Sequence, residues 1–270
     1  MAINSRNEFD TFIKQTVKRL NVPEEYRGYY SQHADRLWLT ANEFGLLRQR
    51  YSSLLEIGPG FSFLPFIWKG FVAQDVAVFE GQCDELREFA PSYEQCGIEA
   101  HYGDLFDIFG QRDGAKNRFP FGSEAFDCVI CWETMEHFNF NPIPFLHEVQ
   151  RIMRPKGILN LTIPNQAKLD RRLKLLLGKS VRTPIDTYFL QMDDRNRMKY
   201  APHWREYTLE EFVELLCRAG LKIVRATHLQ TFENREHQSA ALLAKRALAT
   251  MITRLFPAFS ALCLVQAQKP

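Results

Sequence analysis

Ser53-Leu54-Leu55-Glu56-Ile57-Gly58-Pro59-Gly60 is a short apolar run that stops at a glycine turn, and a helical pattern follows from Phe61. A run of this length, bounded by Gly and Pro, reads as a buried strand, and a turn made of glycine lets a ligand approach backbone closely. The same theme recurs at residues 76–81, 98–104, 126–131 and 157–164, giving five strands in succession. Helical stretches separate them at 61–70, 82–96 and 144–153, the last closed by Pro155 and Gly157. Strand alternating with helix predicts a parallel sheet covered on both faces.

Outward from this centre the pattern changes. Phe9, Phe12, Ile13, Val17 and Leu20, then Leu37, Leu39, Phe44 and Leu47, fall at helical spacing and predict an N-terminal helical cap over residues 1–50. The domain proper is expected over 51–270. It contains an irregular insertion at about 166–203, after which Thr208 and Glu211 form a capping box that opens a helix closed by Gly220. Residues 221–229 read as a sixth strand, 238–254 as a helix and 260–268 as a seventh strand.

With 270 residues, 46% of them hydrophobic and 24% charged, and a mean hydropathy of −0.28, the chain can bury a large core; disorder, collagen-like repeats and coiled-coil rods are excluded. A net charge of +2 and a pI near 8.2 are too mild to demand a nucleic-acid partner. The charge is concentrated, however. Residues 166–205 hold Lys168, Arg171, Arg172, Lys174, Lys179, Arg182, Arg195, Arg197, Lys199 and Arg205 against four acids, a local excess of six positive charges. Such a segment is either a solvated lid or a surface that selects an anionic acceptor. Within it, residues 167–179 form a basic amphipathic pattern of the kind that rests weakly on an anionic membrane surface. Six scattered cysteines, and an N-terminus without a basic segment leading into an apolar one, predict a reduced, cytoplasmic protein. The apolar run at 255–268 falls short of the roughly 20 residues that a membrane span requires.

The chemistry gathers where strands meet turns. Gly58-Pro59-Gly60 could open a dinucleotide fingerprint, but the third glycine position holds Phe63, and Pro59 removes one N–H from any phosphate cradle. Glu80, about 22 residues after Gly58 by the usual spacing of such carboxylates, suits ribose hydroxyls. Asp104 at the end of the third strand is placed to receive an adenine amine, with Leu105 packing on the ring. A nucleoside without a pyrophosphate is the ligand these features describe. Cys128 and Cys131 have CxxC spacing, yet residues i and i+3 of a strand point to opposite faces, so the pair is expected to be core packing and no metal site is predicted.

Taken in order, LLEIGPG, Glu80, Gly103-Asp104, FDCVICWETMEHF and IMRPKGILNLTIPN, followed later by HWREYTLEEFVELLCRAGLKIV, resemble class I S-adenosylmethionine-dependent methyltransferases. The resemblance implies a Rossmann-like α/β fold with a seven-stranded sheet of order 3-2-1-4-5-7-6, strand seven antiparallel, and helices on both faces. It implies S-adenosylmethionine as cofactor. Glu56, Gly58, Pro59 and Gly60 would then wall its amino-acid part, Glu80 and Gly81 would hold the ribose, Asp104 and Leu105 would meet the adenine, and Cys131 and Trp132 would flank the sulfonium.

Methyl transfer to a hydroxyl needs positioning and a group that relieves the hydroxyl of its proton. His137, just after the fourth strand, and His203, just before the late helix, are the candidate catalytic residues. Arg171, Arg172, Arg205 and Tyr207 are the candidate acceptor-binding residues. The Asn/Asp-Pro-Pro-Tyr/Phe pattern of many N-methyltransferases is replaced here by Trp132-Glu133-Thr134-Met135, which favours O-methylation of a small or glycan-like, anionic acceptor. A catalytically inactive cofactor-binding subunit of the same fold stays open as an alternative. So, further down, do an N-methyltransferase and a nicotinamide oxidoreductase.

Overall fold

Seven strands form one sheet in the order β3-β2-β1-β4-β5-β7-β6. They are β1 (Tyr51–Ile57), β2 (Ala73–Glu80), β3 (Ile98–Tyr102), β4 (Phe126–Trp132), β5 (Met153–Pro164), β6 (Lys222–Leu229) and β7 (Leu262–Gln268). The computed structural model from which they are taken describes residues 3–81, 84–110, 118–190, 202–234 and 239–270. β1 to β5 run parallel, and β7 is antiparallel to both of its neighbours. Order, direction and fold class are those expected from the sequence.

The helices of the described residues are α1 (Arg6–Arg19), α2 (Arg27–Glu43), α3 (Leu64–Ile67), α4 (Asp84–Glu88), α5 (Ala90–Gln95), α6 (Leu105–Phe109), α7 (Pro142–Ile152), α8 (Leu169–Leu176), α9 (Ile185–Leu190), α10 (Leu209–Arg218) and α11 (Ala240–Leu255). Two cores lie on the two faces of the sheet. Leu54, Val76, Val78, Cys128 and Ile130 face one; Leu55, Ile57, Val129, Cys131 and Leu161 face the other. A central parallel strand buried on both faces needs apolar side chains at successive positions, which is why LLEI reads as an unbroken run. Cys128 and Cys131 fall on opposite faces and cannot share an ion, and the five cysteines among the described residues are free thiols.

Two predicted helices differ from expectation for local reasons. The stretch after β1 is not one helix. Phe63 takes φ +58°, which divides a 3-10 turn (Gly60–Ser62) from α3, and a π-helical turn (Trp68–Val72) leads into β2. The stretch expected from 82 to 96 is broken into α4 and α5, because Pro91 sits in the first turn of α5, where its missing N–H costs nothing; the expected start at Gln82 lies outside the described residues. The insertion contains α8 and α9, and no residue of α8 is buried. Its remaining segment, with Arg195, Arg197 and Lys199, lies outside the described residues.

The N-terminal helices cap the sheet by sharing its core: Phe9, Ile13, Ala34 and Leu37 belong to the same buried cluster as Leu54 and Val76. The change near residue 50 is therefore a change of pattern rather than a gap in packing. No helix of the described residues is long and apolar enough to cross a membrane.

Thr208 caps α10 as the sequence indicated. Its hydroxyl accepts from the Glu211 N–H at 3.3 Å, and the Glu211 carboxylate accepts from the Thr208 N–H at 2.9 Å. Replacing Thr208 by Ala should cost about 1 kcal/mol, read as a lower urea midpoint with an unchanged slope.

Candidate active site

The turn after β1 is shaped by its glycines. Gly58 has φ +69° and Gly60 φ +52°, a region in which a side chain is strained. A Cβ at Gly58 would lie 2.7 Å from Thr134 Oγ1, so this position admits only glycine, whereas the space beside Gly60 is open. The Gly58 N–H donates to the Phe79 carbonyl at 2.9 Å, and the Gly60 N–H donates to Glu80 Oε1 at 2.6 Å. Glu80 thus stands at the end of β2 directly against the turn, 3% exposed, and the Gly81 N–H also supports it. Burial pushes its carboxyl up to about 8, against the pull of these two N–H donors. The hydroxyl oxygens of Tyr93 and Tyr102 lie buried without a hydrogen-bond partner among the described residues, and both tyrosines feel the Glu80 charge.

Glu56, Cys131 and Trp132, expected beside the cofactor, are all buried. Glu56 is turned inward. It is 2% exposed and accepts from Trp68 Nε1–H at 2.6 Å, with burial raising its carboxyl to about 8, so it braces the π-helical turn from inside the core. Cys131 points into the second core, away from the turn, because strand neighbours alternate. Trp132 points the other way, onto Trp68 and Phe44, with ring centroids 5.7 Å from each. Its indole N–H is buried without a partner among the described residues. Asp104 caps α6, accepting from the Phe106 N–H at 2.8 Å, and Leu105 begins that helix.

The second half of the site is built from the turn after β4 and from residues 203–207. Glu133 takes φ +50° at the end of β4, and its N–H donates to the Thr162 carbonyl at 3.1 Å. Its carboxylate is held by Arg36 of α2 at 3.2 Å and by Thr162 Oγ1–H at 3.1 Å. Glu136 follows, 1% exposed, with one carboxylate oxygen unpartnered among the described residues. Burial, and then the Glu133 charge, push Glu136 well above the usual carboxylate range. The Glu136 carbonyl accepts from the Trp204 N–H at 2.7 Å, while the Gln166 N–H donates to the Tyr207 carbonyl at 3.1 Å. Residues 203–207 are thereby laid between the turn after β4 and the end of β5.

That tether brings His203 to His137, ring centroids 4.9 Å apart and nearly perpendicular. The two candidate catalytic histidines, 66 positions apart in sequence, share one site. His203 Nδ1 lies 2.5 Å from Glu206 Oε1, and Glu206 is 6% exposed and paired with Arg171. Arg171, a candidate acceptor ligand, is thus engaged in holding the carboxylate that orients His203. Arg172 lies over the Phe259 ring at 4.8 Å and donates to the Ala167 carbonyl. Arg205 lies over the Tyr207 ring at 4.7 Å and pairs with Glu211 at 3.6 Å. Arg205 and Tyr207 line a cavity of about 540 Å³ beside α10, together with Phe138, Asn141, Leu215 and Arg218. Arg36, Glu133, Glu136 and Glu206 are the site residues that sequence reasoning missed; the signal available was the two acids within Glu133-Thr134-Met135-Glu136-His137, in a loop that otherwise packs as core.

A family model described as a methyltransferase domain matches residues 24–226. A search of curated proteins finds no match to the chain. Among solved structures, the complex between the Haloferax volcanii Trm112 methyltransferase activator and a methyltransferase is similar at 14% identity and TM-score 0.59, covering 96% of this chain and 97% of that one. An S-adenosylmethionine-dependent methyltransferase from Mesorhizobium loti is similar at 16% identity and TM-score 0.55, covering 87% and 97%. The [4+2]-cyclase SpnF is similar at 14% identity and TM-score 0.55, covering 100% and 97%. At these identities the structures speak for the fold. The turn has features that suit such a cofactor, with space beside Gly60 open among the described residues and a buried carboxylate at Glu80. Sheet order and family model agree: the chain belongs to the methyltransferase domain family, with the class I fold and S-adenosylmethionine as cofactor.

Proposed function

We propose that this protein transfers the methyl group of S-adenosylmethionine to a hydroxyl oxygen, and that Glu136, His137 and His203 form the place where that hydroxyl is activated. The observation that carries this reading is the convergence of two imidazoles and a buried carboxylate at the turn after β4, whose Thr134 touches Gly58. S-adenosylmethionine supplies an electrophilic methyl on a sulfonium. The protein's part is to align the acceptor oxygen with it and to make loss of the hydroxyl proton easy. The new C–O bond forms as the C–S bond breaks, and the electron pair stays on sulfur. His203, fixed through Nδ1 by Glu206, presents Nε2 to the acceptor. An amine acceptor would instead be gripped by a carbonyl and an amide side chain, and Trp132-Glu133-Thr134-Met135 offers a packed indole and a salt-bridged carboxylate in their place. The arginines expected to select an anion are matched by Glu206 and Glu211 or stacked on Phe259, so this reading names the acceptor by its hydroxyl and not by its charge.

Glu80 in this reading accepts from the ribose hydroxyls. Glu80→Ala should weaken S-adenosylmethionine by about tenfold, since two hydrogen bonds to the ribose hydroxyls, worth roughly 0.5–1.5 kcal/mol each, are lost; calorimetry giving an unchanged Kd would remove Glu80 from the cofactor site. The same carboxyl makes stability depend on pH. Its folded value of about 8 lies above the ordinary 4.5, so between those pH values the native state keeps a proton that the unfolded chain has lost. Stability of the ligand-free protein should therefore fall as pH rises through that window, by up to about 1.4 kcal/mol per pH unit for each such group. Glu56 contributes in the same direction, so Glu80→Gln should flatten the dependence in part. Urea melts at pH 5, 6, 7 and 8 check this.

Activation by the histidine pair is tested by His137→Ala and His203→Ala. Each should lower kcat by about 10²–10⁴ with cofactor affinity retained. If both variants keep more than about a third of wild-type kcat, the pair has no part in the chemistry.

A further inference from the structure

We infer that Glu136, His137 and His203 hold a divalent transition-metal cation to which the acceptor hydroxyl binds. The inference rests on the placement of the acceptor given above and replaces direct contact between imidazole and hydroxyl by contact through the ion. One ligand atom from each of the three side chains lies within 4.8 Å of the others, a span that a single ion at ordinary ligand distances of about 2.0–2.2 Å can bridge with small side-chain adjustments.

Charge points to the same place. Glu133 is paired with Arg36, Glu206 with Arg171, and Lys168 with Asp170. Glu136 is paired with no lysine or arginine among the described residues; its near neighbour is His137 Nε2, 3.9 Å away. The Glu136 side chain is 1% exposed, and its Oε2 atom has no hydrogen-bond partner among the described residues. A buried carboxylate oxygen without a donor is costly, and such groups pair with a charge or coordinate a metal. The imidazole beside it is prepared as a ligand. With Nδ1–H donating to Glu206 at 2.5 Å, Nε2 of His203 carries the lone pair, and Arg171 fixes the carboxylate behind it. This carboxylate-histidine arrangement orients metal-ligating imidazoles in general. The Trp204 N–H to Glu136 carbonyl bond locks the segment that carries His203 to the one that carries the other two ligands.

Two imidazoles and one carboxylate suit Mn²⁺, Zn²⁺ or their first-row neighbours better than Mg²⁺ or Ca²⁺, which prefer oxygen. Three protein ligands leave coordination positions open. An acceptor hydroxyl on one of them becomes more acidic, its proton passes to water, and the oxygen attacks the methyl carbon as the C–S bond breaks.

The test is direct binding. Chelator-stripped protein is titrated with Mn²⁺, Zn²⁺ and Mg²⁺ by calorimetry, with elemental analysis for stoichiometry. One Mn²⁺ or Zn²⁺ per chain is expected, with Mg²⁺ at least tenfold weaker. Glu136→Gln should weaken the transition-metal ion by at least tenfold, as should His203→Ala, whose half-exposed side chain makes it tolerant of replacement; circular dichroism and unchanged S-adenosylmethionine affinity verify that both variants are folded. No Mn²⁺ or Zn²⁺ binding, or equal affinity in folded His203→Ala, overturns the site. Turnover separates this inference from the reading beneath it. Activity lost in chelator and restored by Mn²⁺ supports the ion, whereas chelator-insensitive turnover that still depends on His203 overturns the ion and leaves hydroxyl activation standing.

Discussion

The contact between Gly58 and Thr134 decides how the two halves of the site meet. Any side chain at Gly58 would press on Thr134 Oγ1, and the threonine hydroxyl in turn donates to the Trp132 carbonyl at 3.0 Å. The turn after β1 and the turn after β4 therefore lie in van der Waals contact across adjacent strands, as the β1–β4 pairing allows. Gly60 lies on the first turn with Glu80 of β2 against it, and Glu133, Glu136 and His137 lie on the second, which residues 203–207 join through the Trp204–Glu136 bond. One added side chain would push the two turns apart.

Around this contact the protein concentrates carboxylates out of water and answers each differently. Glu56 has an indole N–H, Glu80 two backbone N–H groups, Glu133 a guanidinium and a hydroxyl, Glu206 a guanidinium and an imidazole. These partners come from distant parts of the chain. Arg36 lies in the N-terminal cap and Arg171 in the insertion. The cap and the insertion are thus electrostatic components of the site, and the cap cannot be regarded as a separate lid over a finished domain.

The sheet was legible because its signals are local. A continuous apolar run ended by glycine marks a buried strand, and Thr208 with Glu211 marks a helix start, wherever the rest of the chain goes. The glycine turn and Glu80 were legible for the same reason, being adjacent to strand ends. What was not legible depends on direction or on long-range pairing. Glu56 and Cys131 sit in the right motifs and point into the core. Arg171 looks like a free cation until Glu206 is brought beside it. The meeting of His137 with His203 needed the Trp204–Glu136 backbone bond, which no spacing announces. Phe63 shows the limit from the other side. Its left-handed backbone is what a third glycine would have supplied, yet its ring packs among Tyr30, Phe66 and Phe89, so the position was taken by aromatic packing at some backbone cost.

The antiparallel β7 carries a consequence for assembly. It follows β6 in the chain but lies between β5 and β6 in the sheet, pairing with β5 from Ile158 to Pro164 and with β6 from Lys222 to Leu229. During synthesis β6 emerges before any strand that it can join, and the outer edge of β5 stays open until residues 262–268 arrive. An open edge of this length, with Leu159, Leu161 and Ile163 on one face, is a template for pairing with another chain. The parallel part of the sheet can form early, but closure waits until β7 has been made, and the interval before β7 inserts is the period when a nascent chain of this topology is most exposed to aggregation.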